Sequence, residues 1–263
     1  MKIGTSDYSF RHDLASGDLD YIEGLPTIIK DLGLSGIECL DGPLEQNLPD
    51  IELDDIKNFQ QHLRTNYNLE ILGITGFRLP GWGFGRVWEP FSLEKIMPQL
   101  DFQREIVLDW VDICGSLNIP NIRFDAGKFQ ASHKVPIHAA IDLNIEIYRR
   151  VLTPICAKAH ELGVKVGVEN HGFFTADIKV LTKLLDEIPH LHVTCDTGNW
   201  PFESRLGDIE QIAGRVNFLH AKAHVFNDDG TETNIDYEGI VDIMRDAGFD
   251  GWWSIEWEGE GMS

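Results

Sequence analysis

The stretch ICAKAHELGVKVGVENHG (155–172) contains a complete passage from helix to strand. A helical pattern ends at Leu162, Gly163 follows where a left-handed C-cap is wanted, and a short β-branched run begins at once. Side chains in a strand alternate between faces, so Val164, Val166 and Val168 share one side and Lys165, Gly167 and Glu169 the other. The strand has an apolar face for helices and delivers a carboxylate, Glu169, at its carboxyl end.

Three later segments repeat that construction. HVTCDTGN (192–199) ends in Asp196, opposite Val193 and Cys195; VNFLHAKAH (216–224) places His220 with Phe218, Lys222 and His224, opposite Leu219, Ala221 and Ala223. WWSIEWEG (252–259) puts Glu256 with Ser254 and Glu258, against Trp253, Ile255 and Trp257. Oxygen ligands with one imidazole suit a hard or borderline divalent ion such as Mn²⁺, Mg²⁺ or Co²⁺ and leave positions open for a substrate. The four residues Glu169, Asp196, His220 and Glu256 read as a catalytic metal centre, with Mn²⁺ the favoured ion.

The same alternation runs along the whole chain. Short apolar runs at 2–8, 36–41, 69–76, 121–127, 164–170, 192–198, 216–224 and 252–258 read as strands. Helical periodicity occupies 21–32, 53–67, 100–117, 137–162, 178–188 and 237–247, with Ile106, Trp110, Ile113 and Leu117 forming one apolar stripe. Eight βα units predict an α/β protein, a single (β/α)₈ TIM barrel over 1–263, better than two separate folds do. The sequence ends at Ser263, a few residues after the eighth strand, so the last helix is expected to be short or missing, and a homo-oligomer contact or a truncated C-terminus would account for the exposed flank.

Hydrophobic residues at 43% supply an ample core, while a net charge of −21 from 22 basic and 43 acidic side chains disfavours a nucleic-acid partner. No targeting or membrane-spanning run is apparent, which predicts a cytoplasmic protein. Cys39, Cys114, Cys156 and Cys195 form no CxxC pair or disulfide framework and are expected to be reduced thiols.

GVENHG (167–172), CDTGNW (195–200), FLHAKAH (218–224) and GWWSIEWEG (251–259) resemble the xylose-isomerase-like barrel superfamily, in the sugar phosphate isomerase/epimerase branch. The resemblance covers essentially the whole chain. It implies that Glu169, Asp196, His220 and Glu256 are the metal ligands and that Glu169 and Glu256 also move protons. Many relatives carry DxxH where this chain has Asp196-Thr197-Gly198-Asn199. Asn199 can hydrogen-bond a hydroxyl in both directions but does not titrate, which leaves the substrate open.

Such a constellation suits proton abstraction next to a carbonyl, through an enediolate whose charge a cation stabilises. Return of the proton to the other face gives epimerisation, return to the neighbouring carbon gives isomerisation, and loss of a β-hydroxyl gives dehydration. The expectation is a sugar isomerase or epimerase; the alternative is a lyase or dehydratase on a keto-sugar or oxidised glycoside, which a partner subunit could assist. Phosphodiester cleavage suits a set richer in histidine than this one.

Asn199, Lys222 and His171 are expected to contact a small-molecule sugar. An ion pair between Lys222 and Glu258 is the competing reading. The connection 77–97, rich in Gly, Pro and aromatics, is long enough for a lid, and Trp82 and Trp88 are expected to pack on a sugar ring. Glu38, Arg123 and Asp125 read as charged residues paired inside the barrel.

Overall fold

Each predicted strand forms, starting at or within a residue of its expected position, although the first, fourth and sixth end two or three residues earlier than expected. They are β1 (Lys2–Ser6), β2 (Gly36–Leu40), β3 (Glu70–Phe77), β4 (Asn121–Phe124), β5 (Lys165–Glu169), β6 (Leu191–Asp196), β7 (Val216–Ala223) and β8 (Trp252–Trp257). In the structure, a computed structural model describing residues 1–48, 52–77, 93–125 and 136–259, they hydrogen-bond in chain order as a closed barrel. The paired registers between β1 and β2, β4 and β5, β7 and β8, and β8 and β1 are all parallel. Parallel neighbours require crossover connections, and helices supply them. Among the described residues no helix follows β8, and none is long and apolar enough to cross a membrane.

The chain divides into two compact units, one of Met1–Gly76 with Cys195–Ser263 and one of Phe77–Thr194. In the second, α5 (Leu93–Leu117) begins earlier than its periodicity suggests. Its buried stripe is Val107, Trp110, Val111, Cys114 and Leu117, whereas Ile106, expected within the stripe, is exposed. The stripe is therefore turned by one residue from the predicted one. Helix α6 (Ile137–Glu161) ends as expected, with Gly163 at φ 74°. Asp177 caps α8 (Ile178–Glu187) by accepting from the Lys179 amide at 2.9 Å, and the helix buries Val180, Leu181, Leu184 and Leu185. Each such side chain contributes about 1.5–3 kcal/mol by leaving water.

In the first unit, four shorter elements accompany the strands: α1 (Arg11–Ser16), α2 (Gly24–Asp31), α3 (Asp41–Asn47) and α4 (Leu53–His62). Later in the chain the unit adds α9 (Arg205–Ile212) and α10 (Tyr237–Asp246), the latter capped by Asp236 on the Gly239 amide. Asp7, directly after β1, joins three elements. Its Oδ2 accepts from the Leu40 amide at 2.9 Å and from the Tyr21 hydroxyl at 3.0 Å. Complete burial nonetheless dominates, and the carboxyl is pushed up to about 8. All four cysteines are buried and none is in a disulfide; burial pushes the Cys156 thiol up to about 12, which argues against that residue as a nucleophile.

Candidate metal centre

The first unit holds three of the four candidate ligands. Asp196 closes β6, His220 lies within β7 and Glu256 within β8, and all three are buried. Their ligand atoms lie within 4.8 Å of one another, with His220 Nδ1 3.6 Å from Glu256 Oε2. Around one octahedral ion with bonds of about 2.1 Å, donors stand roughly 3.0–4.2 Å apart, so a few tenths of an ångström of closure would seat one. Two carboxylates and an imidazole fit a hard or borderline divalent cation.

Lys222, two residues beyond His220, enters the same cluster. Its Nζ lies 2.5 Å from Glu256 Oε2, 2.9 Å from Asp196 Oδ2 and 3.2 Å from Glu258 Oε2. The expected pairing with Glu258 is present, and Lys222 also reaches two candidate ligands, Asp196 and Glu256. Register explains the reach, because Lys222 is opposite Glu256 in the β7–β8 ladder. Gly198 makes room for the stem, since a Cβ there would stand 2.7 Å from Lys222 Cγ. The turn after Asp196 is tied down as well: the Gly198 amide donates to Asp196 Oδ1 at 2.7 Å, and Thr197 Oγ1 accepts from the Lys222 amide at 3.0 Å. Asn199, on this turn, is half-buried.

Behind His220 stands Glu38, at the centre of β2 and fully buried. Its Oε1 is 2.8 Å from His220 Nε2, and its Oε2 accepts from the Ser254 hydroxyl at 2.7 Å. The expected internal pairing of Glu38 is thus present, with a candidate ligand as the partner. A glutamate inside the apolar run GIECL was the only local signal; its partners lie 182 and 216 residues away in sequence.

In the second unit, Glu169 ends β5, buried, and is ion-paired with Arg123 of β4. Asp125, Glu169 and His171 bring their ligand atoms within 4.8 Å of one another, and His171 Nδ1 is 2.7 Å from Asp125 Oδ1. That bond raises the His171 pKa, against burial and with help from the Glu169 charge. Burial pushes Asp125 up, but its bond to His171 and the Arg123 charge outweigh it and hold the carboxyl below its usual range. Asp125→Asn is therefore expected to bring the His171 titration to lower pH, read from its ring proton shifts. An unmoved midpoint would deny the pairing. Trp82 and Trp88 lie outside the described residues.

Residues 26–262 match the family model described as xylose isomerase-like TIM barrel. No curated protein matches the sequence. Solved structures are similar in fold: D-psicose 3-epimerase with D-tagatose from Clostridium cellulolyticum H10 has 14% identity and a TM-score of 0.71, over 100% of this chain and 86% of that one. The apo form of 3-keto-D-glucoside 4-epimerase, YcjR, from E. coli has 15% identity and a TM-score of 0.69, over 100% and 94%. The IOLI protein with a binding zinc atom has 14% identity and a TM-score of 0.67, over 97% and 88%. At these identities the likeness is one of fold.

Proposed function

The chain belongs to the xylose isomerase-like TIM-barrel family, and we propose that it is a divalent-metal-dependent sugar isomerase or epimerase that moves a proton next to a carbonyl. The observation that carries the reading is the buried gathering of Asp196, His220 and Glu256 from three successive strands. Glu169 is proposed as the fourth ligand: it is in register with Thr194 of β6, and Asp196 follows two residues later on that strand, at the same parity. Epimerases among the proteins of similar fold agree with this chemistry.

The bound ion, Mn²⁺ in this reading, would favour negative charge developing on the carbonyl oxygen. The protein's own residues then divide the proton work. Glu169 would take the proton, steadied by Arg123, which stays charged throughout. Glu256, entering the step as the carboxylic acid, would deliver its proton to the other side of the carbon and leave as the carboxylate beside Lys222 Nζ, 2.5 Å from its Oε2. Asn199, Lys222 and His171 would hold hydroxyls of the sugar, and Trp82 and Trp88 would pack on its ring.

A deuterium wash-in screen over a panel of ketoses and keto-glycosides, with the protein stripped of metal and then given Mn²⁺, tests the proposal. Metal-dependent incorporation next to the carbonyl is the expected outcome. Elimination of water or an aglycone would move the reading to a lyase, and inertness with every metal tried would end it.

A further inference from the structure

Glu38, we propose, is a positioning residue for the metal centre: it selects the form of His220 that can bind a metal. The inference rests on the reading of His220 as a ligand and adds a residue from a strand, β2, that supplies no ligand itself. Glu38, Ser254 and His220 are all buried, at 0%, 0% and 1% exposure, and belong to the same unit. Their hydrogen bonds are shielded from bulk solvent.

A neutral imidazole carries one proton, on either nitrogen, and only the bare nitrogen can bind a metal. Glu38 Oε1 lies 2.8 Å from His220 Nε2, so the ring proton is held on Nε2, which donates a hydrogen bond to the carboxylate. Nδ1 faces the cluster, 3.6 Å from Glu256 Oε2, and in that form is the nitrogen that would bind an ion. The Ser254 hydroxyl, donating to Oε2 at 2.7 Å, occupies the other oxygen and fixes the rotation of the Glu38 carboxylate. Ser254 sits opposite His220 in the β7–β8 ladder, so the three side chains share one layer. A negative charge behind the ring also makes Nδ1 a better electron donor.

Glu38→Gln separates this role from simple packing. Glutamine has the same shape but one acceptor oxygen, and the Ser254 hydroxyl can rotate to accept from the amide, so the layer stays filled. The charge behind the ring is lost. Competition with a chromophoric chelator should show Mn²⁺ and Zn²⁺ affinity falling about 10–100-fold, with the melting temperature of the metal-free protein little changed. Long-range ¹H–¹⁵N spectra of the Zn²⁺-loaded unaltered protein should place the His220 proton on Nε2. If Glu38→Gln does not fold, Glu38→Asp keeps the charge but withdraws it by one methylene, and a smaller loss of affinity is expected. Affinity within about threefold of the unaltered protein in a folded variant, or a proton on Nδ1, overturns the inference alone. Failure of the unaltered protein to bind either metal overturns both it and the function on which it rests.

Discussion

Replacing Glu169 with Gln is expected to reduce proton exchange next to the substrate carbonyl by about 10²–10⁴-fold, the range that a positioned acid or base supplies. The fold should survive, because glutamine can still accept one hydrogen bond from Arg123, the ion-pair partner of Glu169 on β4. Glu256→Gln should cost a comparable factor. The double variant should be little worse than either single one, since groups acting in one step do not contribute additively. Deuterium incorporation followed by NMR measures all three, with circular dichroism as the check on folding. Undiminished exchange by Glu169→Gln would remove its assigned role.

Asp7→Asn is expected to stabilise the protein at neutral and mildly alkaline pH, by an amount on the order of 2–4 kcal/mol. The carboxyl sits at about 8 when folded against an ordinary 3.8. Between those values the folded protein holds a proton that the unfolded chain has released, so unfolding gains from every rise in pH. The cost is absent below about pH 4, grows up to about pH 8 and is constant above that. Asparagine removes it while its oxygen still accepts from Tyr21 and Leu40, the two donors that Asp7 Oδ2 serves. Urea denaturation of both proteins at pH 5 and pH 8 should show a gap that widens with pH. A variant no more stable than the original at pH 8 would contradict the burial argument.

The barrel was legible because each strand advertises itself twice, by period-two alternation and by a polar residue at its carboxyl end, as in VKVGVEN and WWSIEWEG. The helices that escaped are α1, α3, α7 (Gly172–Thr175) and α9, between four and eight residues long. Such lengths give too few turns for a 3.6-residue pattern to stand out. Parity within a strand placed Asp196, His220 and Glu256 on consistent faces, but parity says nothing about distance between strands. It therefore gave Lys222 a possible ion pair with Glu258 but not the approach to Asp196 and Glu256. The hold of Glu38 on His220 was equally hidden, since it joins β2 to β7. The apolar stripe of α5 was misplaced by one residue because Ile106 and Val107 are interchangeable to a hydrophobicity pattern, and only packing chooses Val107.

The ammonium of Lys222, held among three carboxylates, gives the protein a counterion of its own. Carboxylates gathered in a dry place repel one another, and many metal sites collapse or unravel once their ion is taken away. Here the repulsion is relieved from within, so chelation should silence the proposed activity without unfolding the protein. In the proposed metal site an incoming ion would have to displace or share with a cation already in residence, which would raise the concentration at which the site fills.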